Sequence, residues 1–440
     1  MTFFGPTSPP VLSEASTPLI RRALHRARIV GNFAFVQAIV QLISFASGIL
    51  MIRSLDQREY AYFTIANTMQ GTLNVLADIG ISIGLVSIGG RVWHDRHRFG
   101  QLVNTALGLR RRLGLLAALA VVPILYFMLV KNGASVNYTA LLIVIVVLGL
   151  AFQLSIGVLS VVPRLRSDIG RIQAIDLTGA VARLLGLALL MYLFLNGAVA
   201  LAIGSATLLL QYAMLRSYVN GVIDPSAAEN AEDRVAMKGF IRSQAANAIF
   251  FCLQGQITVF LISFFGRNVG SIAEVGALSR LAMIFAVLSH LLANVFAPAF
   301  ARCQTLPKLR WQYAFIVGAV ACFSLVVLGA AALFPRQFLF VLGNKYTHLE
   351  RELLLMVGGA VISAVASTLW SLNSAKAWIA GSWLYIPLTL ATQLALIPST
   401  NFSSVSGVLT FNLVSPIPSL ALNLILSYRG FRSFQRTQAQ

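Results

Sequence analysis

Residues Asn67–Gly80 read NTMQGTLNVLADIG, inside a run over 60–90 that is otherwise apolar enough to span a bilayer. Thr64, Asn67, Gly71, Asn74 and Asp78 follow one another at steps of 3, 4, 3 and 4 residues. That spacing puts them on one face of a helix. A carboxylate at bilayer depth costs about 2.5 kcal/mol or more. Asp78 also precedes the basic loop at Arg91 by roughly 20 Å of helix, beyond the reach of its short side chain. It therefore needs a partner or a wet surface within the bundle.

The chain around this stripe is a membrane sequence. Of its 440 residues, 58% are hydrophobic and 11% charged, and the mean hydropathy is +0.80. Soluble domains are about a quarter charged. Apolar runs long enough to cross a bilayer fall near 30–52, 60–90, 113–130, 138–162, 172–194 and 196–219. A second set falls near 239–265, 272–300, 311–334, 353–374, 378–397 and 404–428. The expected fold is an all-α polytopic membrane protein, with about 12 transmembrane helices in two pseudo-symmetric six-helix bundles around a central cavity. The expected divisions are a cytoplasmic segment 1–29, a bundle 30–219, a linker 220–238, a bundle 239–428 and a tail 429–440. The linker contains DPSAAENAED, and Pro18–Arg28 is a candidate interfacial helix.

With both termini in the cytoplasm, 24 of the 33 Lys and Arg fall inside and seven outside, while Arg183 and Arg280 stay within spans. The positive-inside rule predicts this bias. The formal charge of +19 is thus mainly a topology signal, with some attraction for anionic lipid and no call for nucleic acid. Three cysteines in apolar or basic surroundings support neither a disulfide framework nor a metal cluster. No cleaved signal peptide is expected ahead of RRALHRAR.

The two halves share a layout: a long span, a short outer loop, then a second long span near Glu59 or Glu274. Both begin inside, as parallel repeats do. In the second half Arg280, His290 and Asn294 repeat the separations of Thr64, Asn74 and Asp78. The opening spans carry Gln37, Gln41, Ser44 and Gly48 in one half, and Ser243, Asn247 and Gln254 in the other. Together with Arg183 these stripes are candidates to line a cavity. The competing reading is dry hydrogen bonding between helices. For Arg280, outward snorkelling also competes. Asp78 is the coupling-ion candidate, on condition that burial raises its pKa.

Chemistry of other kinds finds little support. The cluster WHDRH at Trp93 sits in a basic loop without a second ligand group, so no metal is expected. No GxxxxGK[ST] phosphate loop occurs, and no cofactor motif stands out. The outer acids lie in or beside short loops, which suits a transporter better than an enzyme. A membrane polymerase or ligase, and a drug or cation antiporter, remain as rivals.

The stretch ILMIRSLDQREYAYFTIANTMQGTLNVLADIGISIGLVSIGGR resembles the start of polysaccharide transporters and O-antigen flippases (Wzx-like) of the MATE/MOP superfamily. The matching features are the turn SLDQREYAYF, the D-x-G element Asp78–Gly80 and the basic loop that follows. In the second half they are SFFGRNVGSIAEVGALSRLAMI and APAFAR, with a longer turn that lacks the tyrosine. The resemblance implies a flippase in a bacterial inner membrane, moving undecaprenyl-pyrophosphate-linked oligosaccharide to the outer leaflet. Its implied partners are that lipid-linked oligosaccharide, membrane lipids, a polysaccharide polymerase and a chain-length regulator. It implies no cofactor and no catalytic residue.

Overall fold

The computed structural model describes residues 19–439 apart from 167, 192–195, 267, 293–295, 302 and 304. Side chains are described for these residues except 19–34, 169, 191, 247, 286, 287, 290, 291, 298 and 437–439. The first half runs α1 (Leu19–Ser54), α2 (Gln57–Asp78), α3 (Ile81–Val92), α4 (Arg96–Lys131), α5 (Val136–Leu159), α6 (Val161–Leu165), α7 (Ile169–Met191) and α8 (Gly197–Val222). The second begins with α9 (Ala231–Phe265), α10 (Gly270–Leu281), α11 (Ile284–Leu291), α12 (Ala297–Ala301) and α13 (Leu306–Leu333). It ends with α14 (Pro335–Leu342), α15 (Glu350–Ala375), α16 (Tyr385–Leu396), α17 (Val405–Val414) and α18 (Ile417–Ala439). No strand occurs among the described residues.

Local chemistry sets many helix starts. Asp56 caps α2, Asp95 caps α4, Asn196 caps α8 and Asn230 caps α9, each accepting from a backbone N–H of the first turn. Nine helical segments among the described residues are long and apolar enough to cross a membrane. The α2–α3 pair, bent by 45°, makes a tenth. The remaining two of the twelve apolar runs are segmented. Residues 272–300 divide among α10, α11 and α12, and residues 378–397 hold α16 after a short 3-10 turn. The expected single long helix over 60–90 is thus two helices. The break falls at Gly80, whose φ of +83° is a left-handed conformation that side chains disfavour. A Cβ there would stand 2.9 Å from the Phe240 carbonyl oxygen of α9, so the glycine also lets α9 cross closely.

The connection between halves is shorter than 220–238, because α8 continues to Val222 and α9 starts at Ala231. It is also docked. Asn104 of α4 donates to the Ala227 carbonyl at 2.7 Å, and the Asn230 N–H donates to Thr105 Oγ1 at 2.9 Å. Arg98 grips Asp233 through two bonds of 2.5 and 2.7 Å. Hydrogen bonds from Ser226, and then from His97, hold the Asp224 carboxyl down at about 2.

At the opposite end, side chains tie the halves together mainly through backbone carbonyls. Arg53 donates to Phe340 and Val341 at 2.6 and 3.0 Å, and Lys345 donates back to Leu55 at 2.9 Å. Gln57 reaches Gly270 at 3.4 Å, and Lys131 bonds Phe264. The two repeat-related glutamates at this end bond mainly within their own halves. Glu59 accepts from the Gly197 N–H at 2.8 Å and from the Tyr138 hydroxyl, and Glu274 bonds His348 at 3.2 Å.

Candidate functional site

Helix α2 is enclosed by both halves. Residues Tyr60–Ala66 are all buried, and Gly276 of α10 sits against Thr64 where a Cβ would clash at 2.6 Å. From Asn67 onward one face opens: Asn67 is exposed, and Asn74 and Asp78 are half-buried. That face lies along the seam between the halves, since Gly71 meets Gln256 of α9 and the Cys252 thiol bonds the Thr72 carbonyl at 3.6 Å.

The deep carboxylate has a partner. Arg110 of α4 is only 4% exposed; its Nη1 stands 3.2 Å from Asp78 Oδ1, and its Nη2 donates to Asn74 Oδ1 at 3.2 Å. Ser82, one turn on across the break, donates to Asp78 at 2.7 Å. Sequence reasoning places Arg110 in the basic loop with Arg111 and Arg112, and the structure turns it inward. Gly157 of α5 makes the room, for a Cβ there would fall 2.2 Å from Arg110 Nη1. No local signal distinguishes Arg110 within RRR; the small residue facing it is legible only after folding.

Arg183 and Arg280 come from different halves, and each lies beside α1. Arg280 does not snorkel outward: its side chain lies over Gly48 of α1, 3.4 Å from the position of a Cβ, and its guanidinium reaches the buried Tyr60 hydroxyl. Arg183, on α7 beside α1, is close enough for the two positive charges to act on each other. Its Nε is buried without an acceptor among the described residues. Among the described residues neither guanidinium has a carboxylate within 4.0 Å. A guanidinium buried without a carboxylate is costly, and a bound anion removes that cost. Gln37, Gln41 and Ser44, all half-buried, continue the helical face that ends at Gly48 beneath Arg280.

Gln254 belongs elsewhere. It exchanges amide hydrogen bonds of 2.9 and 2.6 Å with Gln393 of α16, on the far side of α9 from the seam. There it lines a cavity of about 650 Å³ inside the second half, whose lining carries no charged side chain. The buried Ser415 hydroxyl lines the same cavity without a hydrogen-bond partner among the described residues, and Thr389 lines it beside Tyr385. Trp370 and Trp383 add indole rings. Sequence stripes could not find this cavity, because α16 is too short to show a long periodic pattern. Asn247, His290 and Asn294 have side chains outside the described residues.

This arrangement of helices is a transporter fold of the MATE type. An inward-facing multidrug resistance MATE family transporter of the MOP superfamily superimposes with a TM-score of 0.65 at 14% identity, over 92% of this chain and 99% of that one. A MATE in complex with MaD3S gives 0.59 at 15% identity, over 92% and 95%. A MOP superfamily transporter from Pyrococcus furiosus Vc1, described as having a binding pocket of reverse polarity that suggests a different function, gives 0.58 at 14% identity, over 92% and 94%. No protein-family model matches the sequence, and no curated protein matches it.

Proposed function

We propose that the chain is an alternating-access flippase for a lipid-linked oligosaccharide whose linkage is a pyrophosphate. The observation that carries the reading is the pair Arg183 and Arg280, one from each half, both beside α1 and neither with a carboxylate within 4.0 Å among the described residues. A guanidinium offers a planar fork suited to phosphate oxygens. Asp78, the acid nearest in the first-half stripe, is occupied by Arg110, so the free charge at the junction is positive. The uncharged cavity of the second half, lined by Ser, Thr, Asn and Gln side chains, offers hydrogen bonds to a neutral polar group such as a sugar. The polyprenyl tail would remain in lipid beside the seam.

On the charge bias of the loops, the basic end faces the cytoplasm. Ties across the other end then close the outer face. Moving an anion outward, down an inside-negative potential, is favourable by about 2.3 kcal/mol per charge per 100 mV. Polymerase, ligase and chain-length partners would act after release.

The rival is a drug or cation antiporter; some of the structural neighbours are multidrug resistance MATE family transporters. Proteoliposomes carrying the purified chain separate the two. We expect a defined undecaprenyl-pyrophosphate-linked glycan to change leaflets, faster under an imposed voltage, and a lipophilic cation not to exchange against protons or sodium. Cation exchange without glycan movement would replace the flippase reading with the antiporter one.

A further inference from the structure

The basic end of the first half holds a second, separate pocket. It measures about 260 Å³ and is lined by Asn104, Arg111, Ser155, Tyr212, Arg216 and Glu229 among others. Arg111 comes from α4 and Arg216 from α8, so two helices present guanidinium groups to one space. We propose that this pocket binds a phosphate group, either a free phosphate or the headgroup of an anionic phospholipid.

The argument rests on how the neighbouring charges are used. Glu229, the acid among the pocket's lining residues, is paired with Arg234, and at the docked connection Asp224 is bonded to His97 and Ser226 and Asp233 to Arg98. Glu229 itself faces the pocket and packs on Gly108, but Arg234 neutralises it. Arg111 and Arg216 have no acid within 4.0 Å among the described residues. Two guanidiniums and the Tyr212 hydroxyl therefore surround a small, mainly polar space with donors to spare. A tetrahedral phosphate can accept from both forks at once. Both arginines lie where long apolar helices give way to the basic loops, the depth of lipid headgroups, where basic pockets between helices take anionic lipid. The docked connection contributes Pro225 and Glu229 to the lining, so a ligand here also touches the only chain segment joining the halves. The inference does not depend on what the junction transports.

The test uses the full chain in detergent, titrated with phosphatidylglycerol, phosphatidylcholine or inorganic phosphate. Bound ligand is counted by native mass spectrometry, with the melting temperature as a second readout. We expect one saturable site. Arg111→Gln with Arg216→Gln should weaken it about 10- to 30-fold, at roughly one charge contact per arginine. Arg112→Gln, an exposed neighbour outside the pocket, should leave it unchanged. Glu229→Gln releases Arg234 from its acid, leaving one more uncompensated cation beside the pocket, and should tighten it about fivefold. Saturation by inorganic phosphate names free phosphate as the ligand, and saturation by phosphatidylglycerol alone names the headgroup. Wild-type affinity in the correctly eluting double variant would overturn the proposal. Equal binding of phosphatidylcholine, or an equal loss in Arg112→Gln, would do the same.

Discussion

Asp78 and Arg110 show how unevenly two partners in one ion pair can depend on each other. Arg110 is 4% exposed, whereas the Asp78 side chain keeps 31% of its surface. Removing the carboxylate strands a buried cation; removing the cation leaves a carboxylate that water still reaches. We therefore expect Asp78→Asn to cost about 3 kcal/mol and Arg110→Met clearly less, with the double variant close to wild type. Melting temperatures of the purified variants should fall in that order. Asp224 makes a separate test at the docked connection. Its carboxyl is held near 2, below the ordinary 3.8, so its contribution is fully present above about 3.8 and fades as the pH drops towards 2. Asp224→Asn should abolish that part of the acid sensitivity, read as protease cutting within 223–230. The polar stripe containing Asp78 is legible in the sequence because helical spacing survives in any context. Its partner is not, because the choice among three adjacent arginines is made by Gly157, 47 positions further on.

At the scale of elements, periodicity locates apolar runs well but does not reveal where they break. Residues 60–90 divide at Gly80, a residue that a continuous helix tolerates in sequence terms; the left-handed φ and the passage of α9 appear only in three dimensions. Gly80→Ala adds a Cβ both to a disfavoured conformation and 2.9 Å from the Phe240 oxygen. We expect a loss of about 2 kcal/mol or more in stability, measured as a lowered melting temperature. The bonds from Arg53, Lys131 and Lys345 to carbonyls of the other half form a second set of features hidden from sequence patterns, since their acceptors are backbone atoms. Arg53→Ala combined with Lys131→Ala should loosen that end. Distances between spin labels placed across it should shift to longer values than in the wild type.

For the whole molecule, the likeness of the halves is readable as layout: a long span, a glutamate, a striped second span, a basic loop. The structure gives that layout a use. Glu59 bonds α5 and α8 of its own half, Glu274 bonds His348 of its own half and Gln57 of the other, and α2 packs on α10. Arg183 and Arg280 illustrate the limit of the reading. Each is conspicuous alone as a charge within an apolar run, but that both come to lie beside α1, with Gly48 under Arg280, depends on packing that the sequence does not print. Flipping of a pyrophosphate-linked glycan by reconstituted protein, compared at matched abundance for single Arg183→Ala and Arg280→Ala chains, tests their joint role. Arg336→Ala, at the 87% exposed Arg336, serves as control. The account predicts a rate at least about tenfold lower for either junction variant and an unchanged rate for the control. Wild-type rates in both junction variants would contradict it.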